Sequence, residues 1–194
     1  MPLQAKCLII LIKLGTEMCD KRALRRAVRE RIAMIDAPDA QERSAVICEE
    51  VRRHIAVSGA RVVALFSPLG DEPQLWPLVE HLAQRLSVVL PRVEGDVMNF
   101  YSFDRGMMAT GAFGINEPQG GVPVRACEIE AIVVPGVAFT ESGARMGRGK
   151  GFYDKYLSQD DFSALKIGVC YREQIVPEIP AEPHDVPMDV VIYK

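Results

Sequence analysis

The chain has no excess of positive charge. Its 194 residues set 23 Lys and Arg against 26 Asp and Glu, a net charge of −3, so no overall basic field draws it to nucleic acid or to an anionic membrane. It has no CxxC pair either. The five cysteines, Cys7, Cys19, Cys48, Cys127 and Cys170, are odd in number and scattered. That argues against a disulfide framework or a zinc site and fits a reducing cytoplasm. Near the start the only apolar run is CLIILIKL at 7–14, broken by Lys13. It falls far short of the ~20 residues a membrane helix needs, and no basic start or cleavage site makes it a secretory signal. His54, His81 and His184 lack metal-ligand spacing and read as incidental. No Ser/His/Asp or Cys/His arrangement, internal repeat or linker is present.

What is present is a globular composition, 48% hydrophobic and 25% charged, of the size of one domain. We expect residues 1–17 to form an extension without assigned function and 18–194 to form a single domain. Asp20 is a good N-cap, followed by Leu24, Val28, Ile32 and Ile35 at helical spacing, with a basic opposite face. That helix should end near Asp36, and a second should cover 38–55. Strands are expected at 61–66, 87–90, 97–103, 129–134, 166–171 and 188–193, with helices at 73–85 and 152–157. The Gly- and Pro-rich stretch 106–125 reads as loop. Apolar strands separated by helices predict an α/β three-layer sandwich, a mostly parallel central sheet flanked by helices. In such sheets ligands sit beyond the carboxyl ends of strands. The loops 67–72 and 135–151 both follow strands and should line one crevice.

The second of these loops runs into RMGRGKGFYDKYL at 145–157. Gly147, Gly149 and Gly151 remove side chains at alternate positions, letting backbone N–H groups approach an anion. Arg145, Arg148 and Lys150 add positive charge. The spacing fits neither a P-loop nor a dinucleotide fingerprint. On spacing alone it reads equally as a phosphate cradle and as a surface loop with solvated cations. Asp154 reads most simply as a first-turn carboxylate favoured by the helix dipole; alternatively it would hold Mg²⁺ against bound phosphate. Tyr153 would stack on a flat ligand or pack in the core. Glu72, in SPLGDE, would meet a polar ligand, while Asp71 would cap the next helix. Trp76 reads as packing, and Glu117-Pro118 as pocket or turn. Asp189 is unusual as a carboxylate inside an apolar strand.

Several stretches together resemble the 5-formyltetrahydrofolate cyclo-ligase family. The most specific is PGVAFTESGARMGRGKGFYDKYL at 135–157. KRALR at 21–25, FSPLGDE at 66–72, LPRV at 90–93, GINEP at 114–118, KIGVCYREQ at 166–174 and the final MDVVIY follow in family order. Departures are Thr140 where the family has aspartate, Met146 for leucine and Phe152 for tyrosine. The resemblance implies an ATP- and Mg²⁺-dependent ligase of one-carbon folate metabolism. Such an enzyme phosphorylates the formyl oxygen of 5-formyltetrahydrofolate and closes the ring through nitrogen 10, releasing 5,10-methenyltetrahydrofolate, ADP and phosphate. It further implies ATP contacts from Lys21, Arg25, Arg145, Met146, Gly147, Arg148, Gly149, Lys150, Gly151, Phe152 and Tyr153. Folate contacts would come from Ser67, Glu72, Gly149, Lys150, Gly151 and Tyr153, catalytic charge from Lys150, Arg145 and Arg148, and Mg²⁺ ligands from Asp154 and Asp189. A cytoplasmic monomer that binds neither nucleic acid nor membrane is expected. Two rivals are an ATP-independent phosphosugar isomerase or CoA-transferase-like enzyme, and a nucleotide-sensing or RNA-binding module using the basic first helix.

Overall fold

The computed structural model describes residues 20–111 and 114–194; the expected extension at 1–17, with Cys7, and also Cys19 lie outside the described residues. Helix α1 is Lys21–Ile32, and the Asp20 carboxylate accepts from the Arg22 N–H at 2.9 Å, a cap of about 1 kcal/mol. It stops before the expected Asp36 because residues 33–36 turn into the cap of α2, Ala37–Ser58, where Asp36 accepts from the Asp39 N–H.

Six strands form the main sheet: β1 Val62–Ala64, β2 Ser87–Glu94, β3 Val97–Ser102, β6 Ala131–Val134, β9 Leu165–Cys170 and β10 Val190–Tyr193. Their order is β10-β9-β6-β1-β2-β3. All neighbours pair parallel except β3, which returns antiparallel to β2 through the turn at Gly95. α3 is Trp76–Leu82, between β1 and β2. Within 106–125, read as loop from its composition, lies a small hairpin, β4 Met108–Thr110 with β5 Asn116–Pro118. A second hairpin, β7 Ala138–Phe139 with β8 Arg145–Met146, leads into α4, Phe152–Leu157.

Alternation along the parallel strands splits the core into two layers. Val63, Leu65, Val88, Leu90, Val133, Ile167 and Val169 face α1 to α3 and pack with Val28, Ile47, Val51 and Leu78. Ala64, Val89, Ile132, Val134 and Cys170 face the other way, toward Phe100, Phe139, Tyr156 and Leu157. The sheet is therefore buried on both sides, as its nearly continuous apolar strands require. Trp76 joins the first layer, its ring centroid 6.4 Å from that of Phe103. Among the described residues no helix is long and apolar enough to cross a membrane, and Cys48, Cys127 and Cys170 are unpaired.

The turn of the second hairpin has little freedom. Gly143 sits at φ +101°, and its carbonyl accepts from the Met188 N–H at 2.8 Å. A Cβ there would lie 2.3 Å from the Met188 carbonyl oxygen. Thr140, where the family pattern has aspartate, supplies the side-chain acceptor this turn needs: its Oγ1 takes the Ala144 N–H at 3.0 Å. Gly143→Ala combines left-handed strain with a backbone clash and is expected to lower stability by about 3 kcal/mol, read as a shift in the urea midpoint.

Candidate functional site

Two cavities open near the carboxyl ends of β1 and β6. Gln174 is buried and fixes the backbone where the chain leaves β6, donating from Nε2 to the Gly136 carbonyl at 2.8 Å and the Val137 carbonyl at 3.2 Å. The chain then runs through the β7–β8 hairpin to Arg145, whose Nη2 donates to Asp154 Oδ1 at 2.6 Å. Both side chains are largely out of water, 2% and 13% exposed. This pair ties the start of α4 to β8 and holds 147–151 between them as a short bridge. Gly149 sits at φ +103°, a backbone open to glycine alone without strain. None of the backbone N–H groups of 147–151 donates to an acceptor within the described residues.

That bridge is the wall between the two cavities. On one side is a polar cavity of about 500 Å³, lined by Lys21, Arg25, Met146, Gly147, Gly149, Lys150, Gly151, Asp154, Glu182, His184 and Asp185, among others. The first turns of α1 form its far side. Arg25 Nε donates to the Gly147 carbonyl at 2.8 Å, and Lys21 Nζ is held by Asp185 at 2.8 Å and by Glu182. Burial alone would push the Lys21 ammonium pKa down, but its bonds to Asp185 and Glu182 outweigh burial and raise it, so Lys21 stays charged.

On the other side is a more apolar cavity of about 420 Å³, lined by Phe66, Ser67, Pro91, Val93, Met98, Ile115, Phe152 and Tyr153 with Glu72, Glu117, Arg145, Arg148, Lys150 and Asp154. Glu72 is only 4% exposed. Its Oε2 accepts from the Leu69 N–H at 2.9 Å, and its Oε1 takes Arg148 through Nε at 3.1 Å and Nη2 at 2.8 Å. Arg148 also reaches Asp71 at 2.5 Å, so Asp71 serves this network rather than capping α3. Burial, and after it the Glu72 charge, raise the Tyr153 phenol pKa well above its ordinary value; the hydroxyl stays neutral. The Ser67 hydroxyl is committed to the Asn116 carbonyl.

The expected loops after β1 and β6 thus meet, and Gly147, Lys150, Gly151 and Asp154 border both cavities. Asp189 lines neither cavity. It precedes β10 beside Lys166, accepting from its N–H at 2.8 Å and its Nζ at 2.9 Å, and is exposed. Because β9 and β10 run parallel, that position lies at the amino edge of the sheet. The residues 182–185, including His184 that read as incidental, do reach the polar cavity. Glu182, His184 and Asp185 present ligand atoms within 4.8 Å of one another. No local signal in EPHD marks this, since a distant loop brings it there.

The geometry defines an α/β protein in which a glycine-rich bridge separates a polar cavity from an apolar one. The family comparison gives that class a name. A profile of the 5-formyltetrahydrofolate cyclo-ligase family matches residues 17–194, and the chain belongs to that family. It is 35% identical over 147 residues to the 5-formyltetrahydrofolate cyclo-ligase of Mycolicibacterium smegmatis, covering 71% of this chain and 75% of that one. It is 25% identical over 189 residues to the mouse cyclo-ligase, covering 90% and 93%. The solved structure of Aquifex aeolicus 5,10-methenyltetrahydrofolate synthetase superposes with a TM-score of 0.80 at 32% identity, covering 89% of each chain.

The Arg145–Asp154 pair carries a stability prediction. Arg145→Met strands a nearly buried carboxylate and should cost about 3 kcal/mol. Arg145→Met with Asp154→Leu removes both charges and should recover most of it, measured by urea unfolding of both variants.

Proposed function

We propose that the chain is an ATP-dependent 5-formyltetrahydrofolate cyclo-ligase whose two cavities divide the substrates between them. The observation that carries this reading is the row of unpaired amides at 147–151, standing between a cationic cavity and an apolar one. Orphan N–H groups cradle an anion, and the chain supplies Lys21, Arg25 and Lys150 around them. The triphosphate of ATP occupies the polar side. The pterin occupies the apolar side, its amine and ring N–H groups directed at Glu72 and its face against Tyr153. The formyl oxygen on nitrogen 5 then meets the γ-phosphoryl group across the bridge. Transfer makes that oxygen part of a phosphate ester, nitrogen 10 attacks the activated carbon, and phosphate leaves. Such chemistry is mostly positioning and charge stabilisation, which Arg145, Arg148, Lys150 and the amides provide.

Magnesium fits the donor set. Asp154 gives Oδ1 to Arg145 and, at 3.5 Å, to the Val186 N–H, while its Oδ2 has no donor among the described residues, and one carboxylate with phosphate oxygens suits Mg²⁺. Bound there, the ion would neutralise phosphate charge. Arg148 is bonded to the carboxylate that the pterin edge needs, so folate competes with it, and the phosphoryl group is the anion that receives the displaced guanidinium. The unpaired cysteines suit the cytoplasm.

Purified protein with folinate and MgATP should show the near-ultraviolet absorbance rise of methenyltetrahydrofolate, and none without ATP. No ATP-dependent rise from folded protein rejects the reading. Glu72→Gln should raise the folinate KM about tenfold or more, the loss of a charge-assisted bond, with little change in the ATP KM. Lys150→Ala should do the reverse.

A further inference from the structure

Two buried hydroxyls, those of Ser44 and Tyr171, line neither cavity. Ser44, Ile47, Val51 and Ile55 form the inward stripe of α2, and Ser44 stands where such a stripe asks for an apolar side chain. Tyr171 follows β9 in the core layer that α2 covers. A buried hydroxyl needs partners, and these two find theirs in each other and in the loop from β1 to α3. Serine has a single proton to give, and the Ala40 carbonyl, 2.6 Å away, receives it. The Ser44 oxygen then accepts from the Gln74 N–H at 3.0 Å and from the Tyr171 O–H at 3.1 Å. That O–H also lies 3.3 Å from the Glu72 carbonyl, which takes Gln74 Nε2 at 2.8 Å. Burial raises the Tyr171 phenol pKa, so the group stays protonated and able to donate.

α2, the end of β9 and the loop itself therefore meet at the backbone of Glu72. Tyr171 reaches the other loop of the site as well. Its N–H donates to Gln174 Oε1 at 2.8 Å, and Gln174 Nε2 holds the Gly136 and Val137 carbonyls. Resting on the folate reading above, we infer that the Tyr171 hydroxyl and Ser44 are positioning residues for Glu72, fixing where its carboxylate meets the donor edge of the pterin. The bonds of the carboxylate itself do not fix it against the fold. Leu69, which donates to Oε2, belongs to the same loop, and Arg148, which donates to Oε1, is the group the ligand displaces. Once Arg148 gives way, the clamp on the backbone is what keeps the carboxylate in place, and hydrogen bonds weaken steeply as their angle departs from linear.

The test is Tyr171→Phe, which removes the hydroxyl and keeps the ring packed in the core, with Ser44→Ala as a second variant. The folinate KM of Tyr171→Phe should rise about three- to tenfold, the net worth of one hydrogen bond. Its kcat and ATP KM should stay within about twofold of wild type. In a Glu72→Ala background the same substitution should change kcat/KM for folinate by less than about twofold, because the hydroxyl acts only through Glu72. A loss of equal size in both backgrounds, or a matching rise in the ATP KM, makes the hydroxyl a general packing group and overturns the assignment. A folinate KM unchanged in both Tyr171→Phe and Ser44→Ala overturns it too. Amide exchange reads the clamp without substrate: the Leu69 and Gln74 N–H groups should exchange about three- to tenfold faster in Tyr171→Phe. If no ATP-dependent turnover occurs, the ligase reading falls, and calorimetric folinate affinity takes the place of KM. Unchanged exchange overturns the clamp whichever ligand the cavity takes.

Discussion

The ion pair between Arg145 and Asp154 is the constraint on which the site depends. It joins residues nine apart in sequence, one on β8 and one in the first turn of α4. Between them runs a segment whose three alternate glycines give it no stiffness of its own. A glycine-rich bridge left to itself would sample many conformations. Fixing both ends on packed elements turns that segment into a wall. Met146 at one end and Tyr156 and Leu157 beyond the other belong to the two opposite core layers, so the bridge crosses the sheet's edge from one layer to the other. That crossing is why its two faces look into different cavities.

Charge is distributed to match. The chain is acidic overall, yet Lys21, Arg25, Arg145, Arg148 and Lys150 converge on one edge of the sheet. Every one of these cations except Lys150 already has a partner of intermediate strength. Lys21 is held by Asp185, Arg25 by a carbonyl, Arg148 by Glu72 and Asp71. Lys150 makes no such bond among the described residues. A phosphate therefore meets one unengaged cation and several that can exchange partners, and an arrangement of this kind binds anions without leaving buried charge unpaired beforehand.

Much of this was legible in the sequence because it is local. The glycine-cation spacing, the α4 helix at 152–157 and the cap at Asp20 are set by near neighbours. Alternating apolar strands fixed the layer architecture through burial on both faces. What could not be read depends on pairing at long range. The two hairpins β4–β5 and β7–β8 have only two or three residues per strand, too few for a period to show. Asp189 stood out as a carboxylate in an apolar strand, and the partner that holds it, Lys166, comes from the neighbouring strand rather than from its own stretch of chain. His184 read as incidental, and Glu182 and Asp185 drew no notice, because nothing local places them beside α1. Phe152 packs at the apolar cavity without the hydroxyl that the family pattern carries there, so shape rather than a polar contact is what this chain keeps at that position.

Arg148 links the two cavities energetically. Its guanidinium bonds Glu72, a deeply buried carboxylate of the kind that a ligand with hydrogen-bond donors would seek in the apolar cavity. A ligand that took Glu72 Oε1 from Arg148 would leave the guanidinium with Asp71 alone, beside a bridge of unpaired amides. An anion at the bridge would then stabilise the displaced Arg148, and each ligand would lower the cost of binding the other. Linkage then requires the effect to be reciprocal and equal in size. With an exchange worth one or two charge-assisted bonds, the coupling is about 1–3 kcal/mol. A segment flanked by Gly147 and Gly149 can make this exchange without moving the packed ends that Arg145 and Asp154 hold. The same flexibility that denies the bridge a fold of its own lets it report the occupancy of one cavity to the other.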